Sequence, residues 1–377
     1  MKTKYIIGII IAVIVVGGIL AFAIRNNSGA MSESETLAEG KDSIDACSSF
    51  DNTFAAAAFY YEQSNFEKAK EYYECCLGMD LSPAQKASVL NNLGIVLGRS
   101  NEYPEAEKAY AQALKIYKTL AGKDPQTYKP DLAGNLNNLG VLHWNNGEYK
   151  QAEKYYNDAL KLKRELAKKS PDIYANDLAM TLSNLGLLHY NQKEYEKAAT
   201  YHKEALQLRR DLVAKDAATY HPYLAVSLNN LGIACEEMKQ YDEAEECYTE
   251  AMRIFRELAA NNPQTYNPDV AMTLNNLGNL YADKVAPDYA KAEEYYNECL
   301  STYRELAAEH PQVWNPYVAK TFANMAVFYQ DYFPNKALSI QHAKEAIEIL
   351  KECNDSALVR EARDNVNRVL EAWQDSK

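Results

Sequence analysis

The sequence predicts an all-α repeat solenoid, and three observations carry that reading. The tetrad Asn-Asn-Leu-Gly or a near copy opens at Asn91, Asn137, Ser183, Asn229 and Asn275, each 46 residues after the last. A degenerate copy, Ala323-Asn324-Met325-Ala326, follows 48 later. A fixed period of this size means stacked supersecondary units, each burying its apolar face on the next. Within each period, apolar residues recur at helical spacing in two blocks divided by a turn. Composition agrees: 47% hydrophobic and 24% charged residues suit a folded chain, and only 15 Gly and 12 Pro among 377 residues favour helix. The formal charge of −12 argues against a nucleic-acid partner, because an acidic surface repels phosphate backbones.

The first element stands apart from the repeats. Tyr5 to Ile24 is a charge-free apolar run of 20 residues. At about 1.5 Å per residue it spans a hydrocarbon core of roughly 30 Å. Lys2 and Lys4 precede it, and Arg25 followed by Glu33 and Glu35 succeeds it. Positive charge stays on the cytoplasmic side, so residues 1–24 read as a single-pass membrane anchor, N-terminus inside, with the repeats extracytoplasmic. The alternative is a secreted protein cleaved near Ala21-Phe22-Ala23. Residues 25–50, rich in Ser, Glu, Asn and Gly, read as a flexible acidic linker.

About seven helical pairs follow, over residues 51–355. The first, Phe54 to Leu77, is atypical, with four alanines from Ala55 where the Asn-rich helix should be. The pair from residue 130 to 168 is representative. Pro130-Asp131 opens a helix, since Pro fits a first turn and Asp its positive end. Leu132, Leu136, Leu139, Val141 and Leu142 give it an apolar face, and Asn145-Asn146-Gly147 stops it. A second helix runs from Glu148 towards Lys168 on Tyr149, Ala152, Tyr155, Tyr156, Ala159, Leu160, Leu162 and Leu166. Pro171 then breaks the chain. Between pairs the sequence predicts a loop pinned by a repeated aromatic: Tyr128, Tyr174, Tyr220, Tyr266 and Trp314. The last pair carries an irregular turn, Asp331-Tyr332-Phe333-Pro334. Residues 356–377 supply a capping helix, Ser356 to about Gln374, with Val359, Ala362, Val366, Val369, Leu370 and Trp373 on one face.

At these residues the chain resembles a known family. Leu-Gly in the first helix, Tyr-x-x-Ala-Glu-x-x-Tyr (Tyr149, Ala152, Glu153, Tyr156) and Ala159-Leu160 are similar to the tetratricopeptide repeat, whose usual period is about 34 residues. Asn-Asn-Leu-Gly and Ala-Leu-x-Leu-x-Arg-Glu-Leu (Ala159 to Leu166) resemble the kinesin-light-chain type most closely, over about Asp51 to Cys353. The resemblance implies a right-handed superhelical α-solenoid. It also implies a protein or peptide partner held in the concave groove that the first helices line.

The candidate binding residues follow from this. Asn92, Asn138, Asn184, Asn230, Asn276 and Asn324 fill one slot in six units, and Asn91, Asn137, Asn229 and Asn275 precede four of them. Asn is a poor interior helix residue, so contacts or function must offset it. A carboxamide donates and accepts at once, which suits the backbone of an extended peptide. The resemblance makes these residues a ladder along the groove; the competing reading is a structural ladder tying neighbouring helices. A variable slot six residues after the second Asn, with its successor, is the candidate for specificity: Gly98 and Arg99, Trp144 and Asn145, Tyr190 and Asn191, Glu236 and Glu237, Ala282 and Asp283, Gln330 and Asp331. Trp144 and Tyr190 offer apolar anchors; Glu236, Glu237 and Asp283 would favour basic side chains.

No P-loop, Gly-rich dinucleotide turn, HExxH or nucleophile elbow occurs, so neither catalysis, cofactor, small-molecule substrate nor metal site is expected. His143 and His189 share a slot with Leu97 and Tyr281, which points to buried packing. Cys76, Cys235, Cys247 and Cys299 occupy core slots as small hydrophobes, and Cys75-Cys76 is an adjacent pair with redox potential. The reading is therefore a membrane-anchored interaction scaffold. Its alternatives are a self-assembly module or an accessory subunit of a neighbouring enzyme.

Overall fold

The computed structural model describes residues 49–374, so the anchor at 1–24 and the linker to residue 48 lie outside the described residues. Among the described residues no helix is long and apolar enough to cross a membrane. They form fifteen α-helices and no strand, in two compact units. The first unit holds α1 (Phe50–Glu62), α2 (Phe66–Leu77), α3 (Pro83–Arg99), α4 (Tyr103–Lys123), α5 (Pro125–Asn145), α6 (Tyr149–Lys169) and α7 (Pro171–Asn191). The second holds α8 (Tyr195–Val213), α9 (Ala217–Glu237), α10 (Tyr241–Asn261), α11 (Pro263–Asp283), α12 (Tyr289–Glu309), α13 (Pro311–Val327), α14 (Lys336–Leu350) and α15 (Ala357–Gln374). Within each unit a helix packs on the next and, more lightly, on the next but one, as stacked repeats require.

The Leu-Gly of each first helix has a steric cause. A Cβ on Gly140 would lie 2.5 Å from the ring of Tyr156, the last tyrosine of Tyr-x-x-Ala-Glu-x-x-Tyr. Gly94 meets Tyr110 at 2.8 Å, Gly232 meets Tyr248 at 2.6 Å and Gly278 meets Tyr296 at 2.8 Å. Only a bare backbone lets the second helix seat its buried ring against the first. The motif glutamate then reaches the following first helix. Glu107 and Glu153 each lie 3.9 Å from a ring nitrogen of His143 and His189. Glu245 and Glu293 accept hydrogen bonds from the hydroxyls of Tyr281 and Tyr329. In the one repeat where that position is Ala199, its counterpart is Cys235. Both histidines are buried, and among the described residues no group of three or more His, Cys, Asp or Glu is placed to hold a metal.

The first helices start earlier than the sequence predicts. α5 begins at Pro125 with Pro130 inside it, and α9, α11 and α13 likewise enclose Pro222, Pro268 and Pro316. The pinned loop is therefore the opening turns of a helix. Its start is a cap: Asp124, Asp216 and Asn262 each accept from the backbone N–H three residues on, at Thr127, Thr219 and Thr265. Pro125 and Pro263 sit at a position whose N–H has no intrahelical partner anyway. The repeated aromatics still pack: Trp314 lies 6.1 Å from Tyr303 and 5.3 Å from Tyr317. The turn inside the first five pairs takes positive φ at one slot, at Ser64, Asn101, Gly147, Lys193 and Lys239.

At the far end, Phe328–Tyr332 forms a π-helical turn where the sequence is irregular. Ser356 caps α15 by accepting from Val359 N–H, and Val359, Ala362, Val366 and Val369 are fully buried. Trp373 donates from Nε1 to Ser339 at 2.9 Å, fixing the cap's last turn. Cys76, Cys235, Cys247 and Cys299 are buried free thiols, but Cys75 is disulfide-bonded, so Cys75-Cys76 is not a dithiol pair. Burial pushes the Cys235, Cys247 and Cys299 thiols up to about 12.

Candidate peptide-binding site

The asparagines hold the repeats to one another. In the first unit Asn91, Asn92, Asn137 and Asn138 are buried and Asn184 is half-buried. Asn91 Oδ1 accepts from Asn135 Nδ2 at 3.0 Å and from Asn138 Nδ2 at 3.3 Å, both on the following first helix. One repeat later, Asn137 Oδ1 accepts from Thr181 Oγ1 at 3.0 Å and Asn184 Nδ2 at 3.2 Å. In the second unit Asn229 Nδ2 donates to Thr273 Oγ1 at 2.8 Å, and Asn324 Nδ2 donates to Asn275 Oδ1 at 2.7 Å. Asn276 is buried; Asn230, Asn275 and Asn324 are half-buried. These bonds meet the structural reading of the ladder. The half-exposed members of the ladder are Asn184, Asn230, Asn275 and Asn324.

The partner slot at Asn135, Thr181 and Thr273 was not singled out from sequence. Its residue type changes from repeat to repeat: Asn135 and Thr181 donate to the preceding Asn, Thr273 accepts from Asn229, and the equivalent Val89 carries no polar group.

The variable slot divides in two. In the first unit Arg99, Asn145 and Asn191 are exposed at helix ends, and Trp144 is half-buried. Tyr190 departs from the expectation of a presented anchor: it is 6% exposed and belongs to the core. In the second unit the slot builds a cleft. Glu236 and Glu237 end α9, Asp283 ends α11, and Asn279, Lys320, Asn324, Glu361 and Asn365 join them from α11, α13 and α15. Tyr296, Phe328 and Tyr332 contribute aromatic surface. The cleft is open to solvent and encloses a volume of about 90 Å³.

Hydroxyls fix its carboxylates. Tyr248 donates to Glu236 at 2.8 Å and Tyr241 to Asp283 at 3.0 Å, while Tyr296 donates to Asn279 Oδ1 at 2.6 Å. Neutral donors orient a carboxylate without cancelling its charge. Lys320 pairs with Glu361 at 2.7 Å, and Arg368 lies 3.6 Å from Asp331. The field is negative where hydroxyls sample it. Burial raises Tyr332 first, and Asp283, Asp331 and Glu236 raise it further. Tyr241 is pushed up to about 12 by burial and then by Asp283. Burial lowers the Lys320 ammonium, and Glu361 opposes that.

The model of the tetratricopeptide repeat matches residues 51–119, 131–211 and 177–257. No curated protein matches the chain. Similar solved structures include BtubC (BKLC) from P. vanneervenii, 23% identical over 66% of this chain and 92% of that one, with a TM-score of 0.52. Another is the signal transduction ATPase with numerous domains from Pyrococcus horikoshii, which has a tetratricopeptide repeat sensor. It is 15% identical over 80% of this chain and 42% of that one, with a TM-score of 0.60. A third is the Rap conjugation gene regulator of plasmid pLS20 in complex with the Phr* peptide, 17% identical over 86% and 76%, with a TM-score of 0.51. At these identities the likeness is one of fold. The family matches span over half of the sequence, and the chain belongs to the tetratricopeptide repeat family.

Proposed function

We propose that this protein is a non-catalytic interaction scaffold that holds a peptide or protein segment against its first helices. The observation that carries this reading is the open cleft at the ends of α9, α11 and the π-helical turn. There, carboxamides and oriented carboxylates stand beside aromatic surface. Ligand sites commonly combine apolar walls with a few placed polar groups. The Rap neighbour, in complex with a peptide, supports the same use of such a fold. Tyr5–Ile24 would hold the scaffold to a membrane with the repeats outside the cytoplasm, and a disulfide at Cys75 suits an oxidising compartment.

Crosslinking pull-down from membranes tests the reading. Full-length protein should capture a partner, and Asp283→Asn with Asn324→Ala should reduce capture while the fold is kept. Equal capture by this variant would refute the assignment to the cleft. Protease applied outside intact cells should degrade the repeats, and full protection would overturn the orientation.

A further inference from the structure

We propose that the second helices of the first unit form a basic face that rests on anionic phospholipid headgroups. The choice of a membrane as occupant rests on the anchored reading above; the face itself does not. In α4 four lysines stand against two glutamates, and in α6 seven basic residues against three acidic ones. The matching helices of the second unit reverse this, with two basic residues to six acidic in α10 and two to five in α12. One slot carries the inversion: Lys108 and Lys154 become Glu246 and Glu294. A chain of net charge −12 thus keeps a positive surface on one unit.

Pairing within the chain supplies an independent observation. In the second unit carboxylates meet the cations of the second helices: Glu243 meets Lys203, Glu250 meets Arg210 and Glu298 meets Arg256, each at 2.7 Å. In the first unit Lys108, Lys115, Lys118, Lys154, Lys161 and Lys168 are exposed, and among the described residues none forms an ion pair. Nearby acids turn elsewhere: Glu165 pairs with Lys129, and Glu107 and Glu153 lean to His143 and His189. Glu105 and Asp158 share these faces and are outnumbered. Spacings of seven and three residues set the lysines of each helix along one side. Lysine suits a lipid surface, since its flexible stem lets a compact charge reach headgroups, and the attraction of each adds to the next. The 24 residues between Ile24 and Ser49 would span roughly 25–30 Å as a coil. An anchor at Tyr5–Ile24 therefore brings the first unit, the nearer in sequence, to the bilayer. A soluble polyanion would meet the same lysines, but no tether brings it there.

The test is trace acetylation of full-length protein in lipid nanodiscs, read lysine by lysine by mass spectrometry. The discs hold phosphatidylcholine alone, or equal parts phosphatidylcholine and phosphatidylglycerol. At low salt Lys108, Lys115, Lys154 and Lys161 should react about fivefold more slowly on the anionic discs, the factor that one lysine's attraction to such a surface corresponds to. Lys239 and Lys344, exposed on the second unit, should not change, and high salt should abolish the difference. Lys154→Gln with Lys161→Gln should shrink the protection of Lys108 and Lys115. Equal rates on both discs overturn the proposal. So does protection in detergent that rises with protein concentration, which marks a second copy, or protection by added RNA alone, which marks a nucleic acid. Protein that enters neither disc refutes the anchor. Acetylation of the same lysines with anionic vesicles added then decides the face: slowing keeps it and unchanged rates refute it.

Discussion

Replacing Gly140 by Ala isolates the contact that sets how each helix pair closes. The new Cβ would sit 2.5 Å from Tyr156 Cδ1 and Cε1 and 3.0 Å from Cγ. Carbon atoms rest about 3.5–4.0 Å apart. The pair must therefore open by about 1 Å, or the ring must turn. Tyr156 is 1% exposed, so the ring has no empty space to enter. Overpacking of this kind costs about 1–3 kcal/mol. Ala also favours helix over Gly by about 1 kcal/mol, which partly masks the steric loss. The same helix supplies its own control. A Cβ on Gly134 meets nothing within 4 Å, so Gly134→Ala should register the helix gain alone. The difference between the two variants is then the steric cost itself, about 1–3 kcal/mol. Hydrogen exchange resolves it locally, which suits a repeat protein whose units open separately. Peptides from α5 and α6 should lose protection in Gly140→Ala and gain it in Gly134→Ala. Equal gains in both would refute the reasoning.

Other outcomes follow from the same contacts. Asn137→Ala removes an acceptor from Thr181 and Asn184 and should destabilise α5 and α7 by about 1–3 kcal/mol, despite Ala's better propensity. A neutral result in urea titration would deny the ladder its structural role. Lys239 sits at φ 60°, so Lys239→Gly should raise the urea midpoint and Lys239→Ile lower it; the reverse order would contradict the turn's geometry. Burial lowers the His202 imidazole to about 3, so its neutral form stabilises the fold above the unfolded pKa near 6.5. That contribution is lost as pH falls from about 6.5 towards 3, by up to about 1.4 kcal/mol per unit. His202→Tyr restores the residue found at Tyr110, Tyr156, Tyr248 and Tyr296 and should flatten this acid dependence in melts between pH 7 and 4. At pH 8 the native protein should alkylate at half-buried Cys353 well before Cys76, Cys235, Cys247 or Cys299.

Much of the fold was legible because repetition amplifies weak signals. The 46-residue period, the paired helices and the capping helix over residues 357–374 all appear in the structure as helical elements. The start of the first helices was misread for a local reason. Pro130 looks like a first-turn residue, yet Asp124-Pro125-Gln126-Thr127 already forms a better cap, and the helix tolerates a proline at its sixth residue. The asparagines were legible as a slot but not as a set of bonds. Their donors and acceptors lie 44 to 49 residues apart, and the partner at Asn135 becomes Thr181, a donor, and then Thr273, an acceptor. Tyr190 reads like Trp144 in sequence, because the slot alternates between presented and buried rings with no change of pattern. The acidic character of Glu236, Glu237 and Asp283 was visible. Their convergence with Lys320, Glu361 and Asn365 was not, since only tertiary packing brings those helices to one space.

The central claim is that a partner segment is held in the cleft of the second unit. A photo-crosslinking amino acid placed at Glu237 or Asn365, in full-length protein in its native membranes, tests it most directly. Position Glu246, exposed on a second helix, serves as the control. The account predicts adducts from Glu237 and Asn365 to one partner, mapped to one segment, and none from Glu246. Adducts confined to Glu246, or only between copies of this chain, would contradict it.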